Sequence, residues 1–93
     1  MNIESYLRKK TVMIESIDEE LLIQELSAAA QIELSKTQDD TAHGIFVICK
    51  HCVRDWKDID YDELKANIST ATANEIAEKA LDLSGLAETE EAI

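Results

Sequence analysis

The clearest hydrophobic pattern runs from Asp60 to Leu86, where apolar residues recur every three or four positions. This spacing places them on one face of an α-helix. A polar break around Ser69 and Thr70 divides the stretch, so we expect a short helix near Asp60–Asn67 and a longer one near Ala71–Leu83. The repeating positions are Leu64, Ile68, Thr72, Ile76, Ala80 and Leu83, and Ala73, Ala77 and Leu81 widen the stripe.

Both ends of the longer helix carry capping residues. Thr72 and Glu75 have the spacing of a capping box, which predicts Thr72 as the N-cap. Gly85 comes just after the last periodic residue, where glycine takes the left-handed conformation that ends a helix. With that cap, we expect Leu86 to fold back onto Leu81.

The first part of the chain alternates in a different way. Asn2–Lys9 is consistent with a short helix that ends in the basic residues up to Lys10. Thr11–Ser16 is β-branched and roughly alternating, which predicts a strand. Leu21–Leu26, after the polar connection Ile17–Glu20, predicts the second strand of a hairpin or, because it contains good helix formers, the start of a helix. We favour the hairpin.

A helix follows the hairpin, with Ser27 as N-cap and Ala28–Lys36 as its body. Its expected core residues are Ala28, Ile32 and either Ala29 or Ser35. The polar loop Thr37–Thr41 then offers Asp39 or Asp40 as the next N-cap.

The segment from Thr41 to Val53 has the cleanest amphipathic pattern in the chain. Its apolar residues recur as i, i+3, i+4, i+7 and i+8, at Ile45, Ile48, Cys49, Cys52 and Val53. Phe46 and Val47 lie off this stripe, so the helix is buried on more than one side or meets a partner. Trp56, in the connection Arg54–Ile59, is expected to cover the core with its N–H bonded to an acceptor.

These elements predict a mainly α (α+β) fold of about four short helices and a small N-terminal β-hairpin. A chain of 93 residues has room for one domain. There is no proline and there are only two glycines, which favours helices over a many-stranded sheet. We expect the acidic segment 87–93 to be a frayed tail.

The net charge of −11, from nine basic and twenty acidic residues, limits the partners. Such a surface repels phosphate backbones and anionic membranes, so neither nucleic acid nor membrane is an expected partner. No apolar run approaches the ~20 residues of a membrane span, and no signal peptide is recognisable. We therefore expect a cytoplasmic protein with reduced cysteines.

Cys49 and Cys52 form a C-x-x-C motif inside the amphipathic helix. A structural zinc site needs four ligands, and only His43 and His51 are available to complete one. Both cysteines lie on the apolar stripe, and a redox pair would usually begin a helix. Core packing is therefore the favoured interpretation, ahead of a metal or a redox role.

The acidic run Asp58–Asp62 resembles a calcium loop only briefly. That loop needs glycine at its sixth position and glutamate at its twelfth, where this chain has Glu63 and Ser69. The acids are better interpreted as charges at a helix N-terminus. Ser84 lacks the flanking residues of a nucleophile elbow, and there is no glycine-rich phosphate loop. We expect neither an enzyme, nor a cofactor, nor a metal.

The order of these features resembles the tail assembly chaperones of long-tailed bacteriophages and prophages. The matching segments are K-K-T-V-M-I-E-S and L-L-I-Q-E-L-S near the start, then C-V-R-D-W-K-D, D-Y-D-E-L and the closing L-D-L-S-G-L. The match covers Cys49–Leu86 best and Lys9–Leu34 loosely.

The resemblance implies a non-structural virion-assembly factor of the host cytoplasm. Such chaperones bind the long tape measure protein and keep it soluble until the tail tube assembles around it. They are mainly helical, self-associate, and often exist in a frameshift-extended form. Candidate contacts with the client or with another copy are Phe46, Val47, Trp56 and Leu86.

Two other classes of protein are small, acidic and helical. An acyl-carrier-like protein needs D-S-L at the start of a central helix, whereas this chain has Asp82-Leu83-Ser84 at a helix end. A small acidic adaptor or antitoxin that neutralises a basic protein would explain the net charge. It would not explain the hairpin or the Ser84-Gly85-Leu86 ending.

Overall fold

The chain begins with an antiparallel β-hairpin in the computed structural model, which describes residues 7–85. Strand β1 (Lys9–Ile14) pairs with β2 (Glu19–Gln24), in a register that runs from Lys9 opposite Gln24 to Ile14 opposite Glu19. A single 3-10 turn joins them, and Asp18 closes it with a left-handed φ of 51°. One face of the hairpin is apolar because Val12, Ile14, Leu21 and Ile23 alternate with polar or exposed neighbours.

Within the described residues, four helices follow: α1 (Ala28–Ser35), α2 (Thr41–Cys52), α3 (Tyr61–Asn67) and α4 (Thr70–Leu83). A 3-10 turn at Arg54–Trp56 lies in the connection between α2 and α3. Every one of these helices begins at a polar side chain that accepts a backbone N–H three residues ahead. The capping residues are Ser27, Asp40, Asp60 and Ser69.

Helix α2 lies at the centre of the core. On one side the inner face of the hairpin packs with α2, α3 and α4, through Ile14, Ile23, Phe46, Cys49, Val53, Leu64, Ala73 and Ile76. On the other side α1 packs with α2 and α4, through Leu26, Ala30, Ile48, Cys52, Ala77 and Ala80. The off-stripe residues Phe46 and Val47 are buried because α2 is enclosed from more than one direction.

The predicted fold class is confirmed: the protein is mainly helical with a small N-terminal hairpin. Leu21–Leu26 contributes a strand rather than the start of a helix, with the strand ending at Gln24. Ser27 as the cap of α1 and the division between α3 and α4 are also as predicted, and Asp40 is the one of the two expected residues that caps α2. Gly85 has a φ of +78°, which confirms the left-handed residue after α4.

Several local predictions are wrong. Lys9 and Lys10 begin strand β1 and do not end a helix. The first part of the predicted N-terminal helix, residues 2–6, lies outside the described part of the chain. Thr72 is not the N-cap of α4. It is buried in the first turn of the helix, and Ser69 is the cap.

The face of α1 was also mispredicted. Ile32 is 60% exposed, and Ala28, Ala29 and Ser35 are exposed too, whereas Ala30 is the buried residue. The first three residues of this short helix are alanine, so its own sequence does not define one apolar face. Contact with α2 therefore decides which side of the helix is buried. The predicted Leu86–Leu81 contact and the tail 87–93 fall outside residues 7–85, and the single-domain assignment for 1–93 stays a prediction.

Candidate functional site

A shallow apolar groove lies between the first halves of α2 and α4. It has a volume of about 220 Å³, and its lining is Thr41, Ala42, Ile45, Phe46, Thr70, Ala73 and Asn74. The α4 wall consists of small or short side chains, so the two helices leave the ring of Phe46 at the bottom of the groove. Ala42, Thr70 and Asn74 form an exposed rim.

Two further depressions continue from this groove around α3. The first shares Ala42, Phe46 and Thr70 with it and adds Asp40, His43, Lys65 and Ile68. The second begins at Ile68, which both depressions share, and continues along Trp56, Ile59, Glu63, Leu64 and Asn67. We call the continuous surface formed by these three grooves the α3 band.

The floor of the α3 band is apolar and its rim is polar. Ile45, Ile59, Trp56 and Ile68 are only partly buried, so their side chains are accessible from solvent. The Lys65 ammonium lies 5.9 Å from the centre of the Phe46 ring, a cation–π contact across the rim. An apolar floor with a polar rim suits a helix that offers one apolar face.

Polar contacts behind α3 hold this helix in place. The carboxylate of Glu33, on α1, accepts hydrogen bonds from the Tyr61 hydroxyl and from His51 Nε2 at 2.9 Å. These two bonds, Tyr61 first, lower the pKa of Glu33. Burial, and then the Glu33 bond, raise the pKa of Tyr61. The Glu33 carboxylate thus ties α1, α2 and α3 together.

The connection that carries Trp56 is also anchored. Lys50 Nζ donates to the backbone oxygens of Lys57, at 3.0 Å, and of Ile59. Trp56 packs against the core as expected, but its indole N–H has no acceptor among residues 7–85. The predicted hydrogen bond is therefore not found within the described residues, and Trp56 lines the second depression.

The two cysteines are core residues. Cys49 and Cys52 are each 0% exposed, and the Cys49 thiol donates to the Ala73 oxygen at 3.4 Å. Burial raises the pKa of both thiols to about 12, which suppresses the reactive thiolate. Within residues 7–85, no group of three His, Cys, Asp or Glu side chains is arranged to hold a metal ion.

The four predicted contact residues lie in different places. Phe46 and Trp56 both line the α3 band. Val47 is 0% exposed and reaches no surface, while Leu86 lies beyond the described residues. Ala42, Ile68 and Thr70 were missed, because they line grooves only once α3 and α4 have packed beside α2.

Comparisons with protein-family models, with curated proteins and with solved structures find no match to this chain. In the part of the chain that the structure describes, no helix is long and apolar enough to cross a membrane.

Proposed function

We propose that this protein is a non-catalytic tail assembly chaperone of a long-tailed phage or prophage. Its client would be the tape measure protein, which it keeps soluble in the host cytoplasm during virion assembly. The observation that carries the proposal is the α3 band, an open apolar surface formed by the same part of the chain that resembles the family. The C-V-R-D-W-K-D segment supplies Trp56 to this surface.

The chemistry of the band suits a long helical client. An amphipathic helix binds a groove through apolar residues spaced by one turn, and the three connected grooves supply apolar floor in succession. The charge of −11 keeps a complex with an aggregation-prone chain in solution. Acidic residues in and before the first turn of α3, such as Asp62 and Asp58, favour client segments that carry basic residues beside their apolar face.

Co-expression with the tape measure protein of the same phage or prophage tests this proposal. Ala42 is exposed and lines two of the grooves, so Ala42→Arg places a long charged side chain across the band without emptying the core. Ala29→Arg is the matched control, because Ala29 is an exposed helical alanine on α1 that lines none of these grooves.

The wild-type chain and Ala29→Arg should keep the client soluble and co-purify with it, whereas Ala42→Arg should lose most of both effects. If the wild-type chain leaves the client insoluble and unbound, the chaperone proposal is wrong. In that case a basic protein partner becomes the better hypothesis. If Ala42→Arg and Ala29→Arg behave alike, the client does not use the α3 band.

A further inference from the structure

The direction of the backbone groups along β1 follows from one hydrogen bond beside the strand. Glu25 N–H donates to the Arg8 oxygen at 2.9 Å, in line with the register that pairs Lys10 with Ile23. Hydrogen-bonded and non-hydrogen-bonded pairs alternate in an antiparallel ladder. The N–H and C=O groups of Val12 therefore point towards β2, and those of Thr11 and Met13 point away from it.

The two outer edges of the hairpin differ. The outer edge of β2 is covered where Ile23 forms a bridge with Val53. At the turn end of β1, the Glu75 carboxylate accepts the N–H groups of Glu15, at 2.6 Å, and of Ser16, at 3.1 Å. Between these fixed points, no residue of 7–85 bonds the outward groups of Thr11 or Met13. This short open edge is a template for another strand.

We propose that β1 pairs antiparallel with β1 of a second copy of this chain, across a two-fold axis at Val12. In that register Thr11 of each copy lies opposite Met13 of the other. The outward N–H and C=O groups of these two residues then satisfy one another across the axis. Centring the axis on Met13 instead would pair Met13 with itself and place Thr11 opposite Glu15, whose N–H Glu75 already holds, so only the Val12 register satisfies both residues.

Charge favours this edge as the place where two copies meet. Two copies that each carry a charge of −11 repel one another over most of their surfaces. The run Arg8–Lys10 holds three of the nine basic residues, so repulsion is weakest beside β1.

The outer face of the hairpin has apolar residues at this edge. Met13 is 46% exposed and Leu22 is 37% exposed, and they lie diagonally across the two strands. Pairing places the Met13 side chain beside Thr11 of the second copy and covers part of this surface. The resulting sheet would have four strands with β1 of both copies at its centre. This interface does not depend on the proposed function.

Proline at Met13 tests the edge without breaking the hairpin. Its missing N–H points away from β2, a position where a strand tolerates proline. Met13→Thr is the control, because it shortens the side chain and keeps the N–H. Sedimentation should give a dimer for wild type and Met13→Thr. Met13→Pro should weaken dimerisation about tenfold or more, with its circular dichroism unchanged. A monomeric wild type, or a dimer that Met13→Pro leaves intact, would overturn the proposal.

A single cysteine tests the register. Across the axis the two Val12 residues form a non-hydrogen-bonded pair about 4.5 Å apart at Cα, within disulfide range. Oxidised Val12→Cys should therefore give a covalent dimer. Leu22→Cys should not, since the two Leu22 residues are three strand spacings apart, about 14 Å. Equal cross-linking of both variants, or none for Val12→Cys, would contradict this register. The native cysteines are buried and do not compete.

Discussion

Gly44, in α2, faces the end of α1 and the loop that follows it, and replacing this glycine tests how tightly these parts pack. A Cβ at Gly44 would lie 2.7 Å from Thr37 Oγ1 and 3.3 Å from Leu34 Cδ1. The Thr37 hydroxyl is not free to move away, because it donates to the Leu34 oxygen at 2.7 Å. Gly44→Ala therefore forces a shift in the loop between α1 and α2.

The expected magnitude follows from two opposing effects. Alanine in place of glycine stabilises a helix by up to about 1 kcal/mol, whereas overpacking costs about 1–3 kcal/mol. We expect Gly44→Ala to lower the free energy of unfolding by about 1–2 kcal/mol. Thr37→Ala alone should cost about 0.5–1 kcal/mol, the value of one partly exposed hydrogen bond.

The double variant separates the two effects. Without Thr37 Oγ1, the new Cβ would meet Leu34 Cδ1 at 3.3 Å, the end of a flexible side chain, and Thr37 Cβ at 3.6 Å, an ordinary contact. In the Thr37→Ala background, Gly44→Ala should therefore be neutral or stabilising, a coupling of about 2 kcal/mol. Urea unfolding followed by circular dichroism measures all four chains. Equal effects of Gly44→Ala in both backgrounds would refute the reasoning.

Three further predictions concern titratable groups. The backbone N–H groups of Glu15 and Ser16 bond the Glu75 carboxylate and lower its pKa below the ordinary value of 4.5. The contribution of this carboxylate to folding stability is therefore complete above pH 4.5 and is lost as the pH falls through its pKa in the folded protein. Glu75→Gln should thus be less stable than wild type at neutral pH, by urea unfolding, and no less stable in acid. Tyr61→Phe should raise the pKa of Glu33 in an NMR titration and cost about 0.5–1 kcal/mol, because the Glu33 side chain is 41% exposed. Cys49 and Cys52 should resist a thiol reagent at pH 8 until the chain is denatured; rapid labelling of the native protein would contradict their burial.

The elements predicted well are those with strong local patterns. Ser27 and Asp40 are polar residues just ahead of helical segments, and each is the cap that the structure shows. The hairpin follows from β-branched alternation, and the helix α2 from its apolar spacing. These patterns were sufficient because each expresses a preference of the segment itself.

The failures concern residues that serve a distant part of the chain. Thr72 and Glu75 have the spacing of a capping box, yet Thr72 bonds the Ser16 hydroxyl at 2.9 Å and Glu75 holds the hairpin turn. Ser69, in the polar break, is the cap of α4 instead. The spacing of residues within one helix cannot predict a hydrogen bond between residues that are about sixty positions apart in the chain.

The candidate site was predictable in part for the same reason. Phe46 and Trp56 could be selected from the sequence because each is a large apolar side chain outside the apolar stripe of a helix. Such a side chain must pack against another part of the chain or against a partner. Ile68 and Ala42 line the band only because of the angles at which α3 and α4 meet α2. Those angles depend on packing across the whole core.

Hydrogen exchange of the chain, alone and in complex with the tape measure protein, tests the central claim most directly. Helix α3 has only seven residues and lies at the surface, so its amides should exchange measurably in the free protein. We predict that the client slows exchange in residues 61–67 and around Ala42, and leaves the exposed side of α1 unchanged. Slowing that is confined to α1 or to the hairpin, with α3 unaffected, would contradict the assignment of the α3 band as the client-binding surface.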